Sequence, residues 1–334
     1  MCVLLRVFRK SVRSVLRRNT HTYLFRKFIL LTVIVCCIGL FVLLTFFCSK
    51  RDWSPLNCTN HNECIKILLV SDPQIIGEKN EKVHFLTPTT VWHCDNYLKK
   101  SYHKVYNFVK PDVVIFLGDL MDEGSIATDA EFKRYRGRFF DIYPKSSSSK
   151  YIWLPGDNDI GGEGNEPVNK EALKNHFYKA FPKFTSLSYS NIIFYNINGM
   201  TDRKSNSTNN EIVIGLSHTL KLTLLHNKEN IVDSTRPRIV FTGHNHVANI
   251  IKWNGRHKVF EPIADNITLN YSTINPDLYY EIQVPTCSYR MGSTQIGYGY
   301  AVIEKSEISY QVLWTHDKYP LCVSWLCFIF YGLF

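Results

Sequence analysis

The sequence predicts a sheet-rich α/β domain with helices on its outer faces, and three observations indicate this class. In the first half of the chain, short apolar runs rich in β-branched residues alternate with segments whose apolar residues recur at helical spacing. In the second half, apolar runs mostly follow one another without such segments. Four of the expected strands end in Asp or His. Because α/β folds gather functional side chains at the carboxyl ends of strands, this pattern also predicts where a site lies.

The first half is expected to hold three strands and three helices. The strands are 65–71 (IKILLVS), 112–119 (DVVIFLGD) and 151–157 (YIWLPGD). The first helix covers 91–109, and the third runs from a cap at Asn169 to about Phe181. The second begins with a Thr128–Glu131 capping box, in which each side chain bonds the other residue's backbone N–H. Its apolar spacing predicts a buried face made of Phe132, Tyr135, Phe139 and Ile142.

The second half is expected to consist mainly of strands. They are 192–197, 211–218, 238–246, 280–284, 299–303 and 309–314. The segment around Asn266 and Asn270 is rich in Asn, Thr and Tyr, and it is predicted to be an exposed loop.

The net charge of +10 belongs to one end of the chain. Residues 1–51 contain ten Lys or Arg and no acidic residue, and the 29 acidic residues that follow are balanced by the other 29 basic ones. The body is therefore neutral. Charge confined to a segment beside an apolar run argues against a nucleic-acid-binding surface.

That apolar run, 28–48, is 21 residues long and uncharged. About 20 apolar residues span a bilayer as a helix, whereas the apolar core of a cleaved signal peptide usually has only about 7–15. Eight basic residues precede the run and two follow it, which places its N-terminal side in the cytosol. The prediction is a basic cytosolic tail (1–27), a transmembrane helix (28–48), a stem (49–64), a lumenal domain (65–316) and a C-terminal membrane segment (317–334).

Sequons and cysteines favour a lumenal body. N-glycosylation sequons begin at Asn57, Asn206, Asn266 and Asn270. The cysteines Cys58, Cys64, Cys94 and Cys287 are available for disulfides in an oxidising compartment. Cys58 and Cys64 are close enough in sequence to close a small loop, but the pairing stays open. For Cys94 and Cys287, a buried free thiol is an equal alternative.

Polar side chains with metal-binding atoms follow the expected strands. They are Asp72, Gln74, Asp119, Asp157, His218, His244 and His246. Three carboxylates, three imidazoles and one amide oxygen are too many for one tetrahedral zinc site, and they suit two divalent cations that share a carboxylate. His244 and His246 are two residues apart on a strand and so point the same way. The glycines before Asp119, Asp157 and His244 allow sharp turns toward a common pocket.

The motifs that carry these residues resemble those of the calcineurin-like metallophosphoesterases, over about residues 65–303. In chain order they are SDPQI, VVIFLGDLMDEG, PGDNDIGGE, SH and FTGHNH. With VPTCSYRMGS and the flanking apolar segments, they look more narrowly like the membrane-bound metallophosphoesterase 1 group. The resemblance implies a four-layer αββα sandwich of two mixed sheets with outer helices. It also implies a phosphodiesterase of the endoplasmic reticulum and Golgi, at exit sites and the intermediate compartment.

The substrate that this resemblance implies is the ethanolamine phosphate on a mannose of GPI anchors. GPI-anchored proteins and the membrane are then the expected partners. A membrane anchor would confine the enzyme to the surface where a lipid-linked substrate lies. The sequence indicates no oligomeric state.

The resemblance further implies a role for each site residue. Asp72, Gln74, Asp119 and His246 would hold one metal, and Asp119, Asp157, His218 and His244 the other. Asp122 and Asp159 would fix a histidine tautomer or a backbone turn. A metal-bound hydroxide would attack phosphorus. Mn²⁺ is expected at both positions, with Zn²⁺, Fe²⁺ or Mg²⁺ as alternatives.

One motif departs from the family pattern, because relatives read G-N-H-D where this chain reads G-D-N-D at 156–159. Asp157 in place of Asn remains a suitable ligand. Asn158 replaces the His that protonates the leaving oxygen, and an amide cannot act as a general acid near neutral pH. A slower or substrate-restricted enzyme is therefore expected, in which Asn158 donates a hydrogen bond to a phosphoryl oxygen. A metal-bound water or a nearby histidine, for which His176 is one candidate, is the expected substitute for the missing acid.

Two other functions stay open. A non-catalytic receptor would keep the metal site to bind GPI-anchored cargo or phosphorylated glycans. A phosphomonoesterase or nucleotide pyrophosphatase would have the same fold. Arg290, in VPTCSYRMGS, is predicted either to contact substrate phosphate or to form a structural salt bridge.

Overall fold

The structure, a computed structural model, describes residues 22–36, 39, 53–58, 63–79, 87–161, 170–197, 211–219, 237–254, 259–263, 266–275 and 278–315. The chain divides into two units, one of Met1–Lys50 with Tyr319–Phe334 and one of Arg51–Lys318. In the first unit, helix α1 covers residues 22–36.

No helix among the described residues is both long enough and apolar enough to cross a bilayer. Residues 37–38 and 40–48 of the predicted transmembrane helix lie outside the described residues, as does the whole of the predicted segment 317–334. The two membrane segments and the domain boundaries therefore stay predictions.

The second unit contains two mixed β-sheets. The strands of the first are β1 (Cys64–Val70), β2 (Val113–Phe116), β3 (Lys150–Trp153), β10 (Ile267–Asn270), β12 (Gly297–Glu304) and β13 (Glu307–Trp314). They lie in the order β10-β13-β12-β1-β2-β3. Strands β1, β2 and β3 are parallel, and β1 pairs antiparallel with β12. The carboxyl ends of β1, β2 and β3 therefore meet at one edge of this sheet.

The second sheet has seven strands. They are β4 (Ser186–Tyr189), β5 (Ile192–Asn196), β6 (Ile212–Leu216), β7 (Ile239–Thr242), β8 (Asn249–Asn254), β9 (Val259–Ile263) and β11 (Leu278–Gln283). Their order is β4-β5-β6-β7-β11-β8-β9. Strands β5, β6, β7 and β11 are parallel to one another, so β6 and β7 also end at one edge of this sheet.

The helices of this second unit are α2 (Thr87–Val109), α3 (Asp129–Ile142), α4 (Asp157–Ile160) and α5 (Lys170–Ala180). Helix α3 begins at the predicted capping box: Glu131 Oε2 accepts from the Thr128 N–H at 2.8 Å, and Thr128 Oγ1 accepts from the Glu131 N–H at 3.4 Å. Its buried residues are the four that the spacing predicts, Phe132, Tyr135, Phe139 and Ile142.

Strand β2 shows how the first sheet is buried on both faces. Val113 and Ile115 belong to a core that also contains Phe241 of the second sheet. Phe116 instead contacts Phe139 of α3, with ring centroids 5.2 Å apart. Because successive residues of a strand point to opposite faces, one face of this sheet meets the second sheet and the other meets the helices. The predicted α/β fold with two mixed sheets is confirmed.

The predicted loop around Asn266 and Asn270 is wrong, because Ile267–Asn270 forms strand β10 against β13. Ile267 and Leu269 pack against the core, while Thr268 and Asn270 are exposed. A short alternation of apolar and polar residues is the signal of such a half-buried strand. Strands β4, β8 and β9 were likewise not expected from the sequence. The predicted cap Asn169 lies outside the described residues.

Of the four cysteines considered above, two form a disulfide and two are free thiols. Cys58 and Cys64 form a disulfide at the start of β1. Cys94 and Cys287 are buried free thiols, which was the alternative to their pairing. The Cys94 Sγ lies 2.8 Å from the hydroxyl of Tyr289, and the Cys287 Sγ lies 3.6 Å from that of Tyr143.

Candidate metal centre

Asp72 lies one residue after Ser71, which follows the end of β1 at Val70, and its side chain is fully buried. Its carboxylate accepts from Ser71 Oγ at 2.5 Å and from the backbone N–H of His244 at 3.1 Å. The Thr286 hydroxyl donates to the Asp72 carbonyl at 2.8 Å. These bonds tie the end of β1 to the turn after β7, and so join the two sheets at the site.

Asp119 follows β2 and lies between two neighbouring loops. Its Oδ1 accepts from the Asn158 N–H at 3.0 Å, and its Oδ2 accepts from Gln74 Nε2 at 3.1 Å. The Gln74 amide therefore turns its NH₂ toward the carboxylate. Because an amide flip exchanges oxygen and nitrogen, the same side chain can offer Oε1 when a cation lies between the two groups.

Asp157 begins α4, directly after β3 and a Pro-Gly turn. Its Oδ1 lies 2.6 Å from His218 Nε2 and 3.1 Å from His244 Nδ1. His218 Nε2 is also 3.3 Å from Asp119 Oδ1. Side chains from both sheets thus converge on the space between Asp119 and Asp157.

Backbone carbonyls orient two of the three histidines. His218 Nδ1 lies 2.8 Å from the carbonyl oxygen of Leu117, and His246 Nδ1 lies 3.2 Å from that of Met291. A carbonyl oxygen can only accept, so each Nδ1 carries the hydrogen and each Nε2 keeps its lone pair for the site. Metal-binding histidines are held in this way by their second nitrogen. His244 differs, because it turns Nδ1 inward.

The converging atoms form two groups that share one residue. One side-chain oxygen or nitrogen from each of Asp119, Asp157, His218 and His244 lies within 4.8 Å of the others, and the same holds for Asp72, Asp119 and His246. Asp119 belongs to both. Gln74 stands beside the second group, with Nε2 3.3 Å from His246 Nε2. The structure therefore brings all seven predicted ligands together.

The backbone at the site is unusual. Positive φ angles occur at eight described residues other than glycine, and five of these belong to the site: Asp72, Gln74, Asp119, His244 and His246. Such angles are unfavourable for side chains with a Cβ, and they persist only where the surrounding structure holds them. Their concentration here places the strain at the strand ends that carry the ligands.

The charges of the cluster call for a cation. Burial raises the pKa of Asp72, and so opposes its ionisation. Burial lowers the pKa of His218, but bonds to Asp119 and Asp157 outweigh it and raise the pKa overall. Among the described residues, the ion pairs of the three carboxylates are all with histidines and none is with Lys or Arg. Buried carboxylates and imidazoles without a basic side chain fit divalent cations.

Asp159 holds the turn that carries Asp157. Its carboxylate accepts from the N–H groups of Gly156, Leu120 and Met121 at 2.9 to 3.0 Å. Burial, and then the charge of Asp119, raise the pKa of Asp159 to about 7, while the three N–H donors oppose this. This placement of Asp159 agrees with the role that the resemblance implies for it, which is to fix a backbone turn.

The other predicted residues lie at different distances from the cluster. Asn158 is part of it through its N–H bond to Asp119. Asp122 pairs with Arg290 at 3.5 Å, which matches the salt-bridge alternative for that arginine. His176 contacts α3, with Nδ1 3.2 Å from Asp129 Oδ1 and its ring 4.2 Å from that of Phe132. These contacts give His176 no link to the ligands.

Sequence reasoning missed the groups that hold the ligands in place. Ser71 and Thr286 bond Asp72, and the carbonyls of Leu117 and Met291 orient two histidines. Ser71 is adjacent to a predicted ligand and could have been found. The carbonyls leave no signal in residue type, because every residue has one.

The second unit is an α/β fold of two mixed sheets, and its Asp/His cluster is compatible with two divalent cations. Residues 65–264 match the model of the calcineurin-like phosphoesterase family, which is more than half of the chain. The chain belongs to that family, and it is a metal-dependent phosphoesterase.

Several relatives share the name metallophosphoesterase 1. The chain is 23% identical over 313 residues to a metallophosphoesterase 1 homolog of Caenorhabditis elegans, which covers 79% of this chain and 78% of the relative. It is 26% identical over 159 residues to metallophosphoesterase 1 of Xenopus laevis, covering 47% of this chain and 37% of the relative. Among solved structures, a dimetal phosphatase from Danio rerio aligns with a TM-score of 0.44 at 10% identity, over 74% of this chain and 95% of that one.

Proposed function

We propose that this protein is a dinuclear phosphodiesterase. The observation that carries the proposal is the position of Asp119, whose carboxylate belongs to both ligand groups. In this proposal Asp72, Gln74, Asp119 and His246 hold one cation, and Asp119, Asp157, His218 and His244 hold the other. Two divalent cations bound there would supply an activated water and stabilise negative charge on the attacking and leaving oxygens.

The residues around the ligands have their own tasks in this mechanism. The Leu117 carbonyl keeps the lone pair of His218 directed inward. The Asp159 carboxylate accepts from the N–H groups of Gly156, Leu120 and Met121 and so holds the turn that carries Asp157. Asn158 can donate a hydrogen bond to a phosphoryl oxygen, but it cannot protonate the leaving oxygen near neutral pH. We therefore propose a slower enzyme than relatives with a histidine at that position.

The substrate that we propose is the ethanolamine phosphate on a mannose of GPI anchors, cleaved on the lumenal side of the endoplasmic reticulum and Golgi. This substrate follows from the resemblance of the motifs to the metallophosphoesterase 1 group. The lumenal side is supported by the Cys58–Cys64 disulfide, which suits an oxidising compartment. The sequon residues Asn57, Asn266 and Asn270 are exposed, as glycan acceptors must be. We propose Mn²⁺ as the metal.

The proposal is tested with the full chain in detergent, depleted of metal and reloaded with Mn²⁺. Turnover of bis(p-nitrophenyl) phosphate is compared with that of p-nitrophenyl phosphate, and metal content is measured by mass spectrometry. Wild type is expected to hydrolyse the diester faster. Asp119→Ala is expected to lose activity and both metals, because each group loses its shared ligand. Asp141→Ala, which removes an exposed carboxylate paired with Lys99, serves as the matched control.

Each other result points to a different function. Two bound metals without turnover of either ester would support a receptor for phosphorylated glycans. A faster rate on the monoester would support a phosphomonoesterase. A purified GPI glycan bearing ethanolamine phosphate then tests the substrate, since release of ethanolamine phosphate by wild type and not by Asp119→Ala is the expected result.

A further inference from the structure

Glu123 is a buried carboxylate near the metal centre for which the proposed chemistry has no task. It is 1% exposed and lies four residues after the shared ligand Asp119. Taking a carboxylate out of water is costly unless other groups donate to it. Its Oε2 accepts from the backbone N–H of Glu78 at 2.9 Å and from that of Lys79 at 2.7 Å. These two donors belong to a different loop, the one that carries the ligand Gln74.

The segment of residues 74–79, here called the Gln74 loop, runs beside the loop of Asp119. The N–H of Gln74 donates to the carbonyl of Asp119 at 3.0 Å. The N–H of Asp122 donates in the opposite direction, to the carbonyl of Ile75, at 3.1 Å. The buried carboxylate directly after Asp122 continues this row of bonds, because it holds the two N–H groups at the far end of the Gln74 loop.

A glycine at position 77 allows the carboxylate to come this close. A Cβ added to Gly77 would overlap the Cδ and Oε2 atoms of Glu123. Because the Glu123 side chain is buried, it could move aside only by leaving the two N–H groups that it holds. The bonds between Glu123 and the Gln74 loop therefore require glycine at this position.

The Gln74 loop needs support because the backbone of its ligand is strained. Gln74 has a φ of 41°, a conformation that a residue with a Cβ keeps only where the surrounding structure holds it. Beyond the bonds to the Asp119 loop, Arg138 Nη1 donates to the Ile76 carbonyl at 2.7 Å. Glu123 holds the next two residues. Without Glu123, the end of the loop would lose both of these bonds.

The loop of Asp119 depends less on Glu123. The Asp159 carboxylate accepts from two backbone N–H groups that directly follow Asp119, at 3.0 Å each. Removal of the Glu123 carboxylate is therefore expected to displace Gln74 more than Asp119. The ligand group that contains Gln74 should be weakened, and the other group should be largely preserved.

We propose that Glu123 is a positioning residue, which holds the Gln74 loop and through it the Gln74 side chain in the geometry that binds one of the two cations. This inference rests on the proposed function, in which Gln74 binds the same cation as Asp72, Asp119 and His246. It concerns the binding of the metal and requires no turnover. Residues that orient metal ligands typically contribute about 10- to 100-fold to metal affinity.

The test measures Mn²⁺ binding to the metal-depleted full chain in detergent by calorimetry, where two binding steps are expected. Glu123→Ala should weaken one step by about 10- to 100-fold and leave the other nearly unchanged. Glu123→Gln keeps an oxygen that can accept both N–H groups, so its affinity should lie closer to that of wild type. Gly77→Ala should resemble Glu123→Ala, because the added Cβ displaces the same carboxylate.

Asp112→Ala is the matched control. The Asp112 Oδ2 also accepts from a backbone N–H of another segment, that of Lys66 on β1, at 2.8 Å. Asp112 lies directly before β2, at the opposite end of the sheet from the metal centre. We expect Asp112→Ala to lower the thermal midpoint and to leave both Mn²⁺ steps unchanged. If Glu123→Ala and Gly77→Ala bound Mn²⁺ like wild type at both steps, the inference would be overturned.

A cycle with Gln74→Ala separates positioning from a general loss of structure. Gln74→Ala alone should weaken the same step, and unchanged affinity would overturn the inference because the loop would then carry no ligand. If Glu123 acts through Gln74, adding Glu123→Ala to Gln74→Ala weakens Mn²⁺ binding no further. If Glu123 only supports the fold, the two losses add, which also overturns the inference. Absence of diester hydrolysis by wild type would refute the proposed function, while this binding cycle still gives its own answer.

Discussion

His218 donates its Nδ1–H to the carbonyl oxygen of Leu117 at 2.8 Å, and Leu117 stands two residues before the shared ligand Asp119. One short segment therefore supplies a metal ligand and orients another. Gly118 between them has a φ of 103°, which is a backbone conformation that favours glycine. The Gly118–Asp119 motif therefore determines the orientation of His218 as well as that of Asp119.

The first prediction concerns Gly118→Ala. An added Cβ would lie 2.5 Å from His218 Nδ1, on a backbone that already disfavours a side chain. We expect the ring to be displaced, Mn²⁺ affinity to fall by about 10- to 100-fold, and stability to fall by about 2 kcal/mol. Calorimetric titration with Mn²⁺ and urea unfolding measure the two effects.

Gly137→Ala is the control for that substitution. Gly137 lies within α3, and a Cβ there meets nothing within 4 Å. Alanine is the better helix former, so this variant should gain about 0.5–1 kcal/mol and bind Mn²⁺ like wild type. Unchanged Mn²⁺ affinity in Gly118→Ala would show that the Leu117–His218 contact does not position the ligand.

The second prediction concerns metal removal. Asp72 is fully buried beside Asp119, and burial raises its pKa, so ionising this carboxyl in the metal-free site costs free energy that a bound cation would offset. Chelation should lower the thermal midpoint, and Mn²⁺ should restore it, since ligand at 100 times its Kd stabilises by about 2.7 kcal/mol. Differential scanning calorimetry measures the change. If Mn²⁺ raised the thermal midpoint of Asp119→Ala as much as that of wild type, the assignment of Asp119 as the shared ligand would be contradicted.

The third prediction concerns the cap of α3. Bonds from the Thr128 backbone and hydroxyl, with a smaller effect of Lys79, lower the pKa of Glu131 to about 2 from an ordinary value of 4.5. A depressed carboxyl pKa stabilises the fold above the ordinary value, and the stabilisation is lost as the pH falls through the folded value. Glu131→Gln should therefore unfold at a lower temperature than wild type at neutral pH. The two midpoints should converge as the pH falls from 4.5 toward 2. If the difference between the two midpoints stayed constant across that pH range, the prediction would be contradicted.

The parts of the fold that could be predicted depend on local sequence. The capping box needs residues three apart, and the ligands lie directly after apolar strands, so both were found. Strand β10 was missed because its alternation of apolar and polar residues covers only Ile267–Asn270, within a segment whose Asn and Thr residues favour a loop. The Asp122–Arg290 pair joins residues 168 positions apart. Such contacts depend on the order of strands in the sheets, which no single segment encodes.

The last prediction restores a histidine at position 158. The contacts that hold Asn158 are made by its backbone: the N–H donates to Asp119 at 3.0 Å, and the carbonyl accepts from Ser125 at 2.8 Å. Substitution by histidine leaves these bonds in place and supplies a proton donor. General acids typically accelerate a reaction by about 10²–10⁴-fold. An imidazole added to a site that lacks residues to position it should raise kcat by about 10-fold or more.

The leaving group decides whether that gain comes from proton donation. An alkoxide leaving group needs a proton, whereas p-nitrophenolate departs without one. Asn158→His should therefore accelerate a diester with an alkyl leaving group and leave the rate on bis(p-nitrophenyl) phosphate nearly unchanged. The added rate should decline as the pH rises past about 6.5, where imidazole loses its proton. Equal acceleration of both esters would mean that the histidine acts on binding or on the metals and not as an acid.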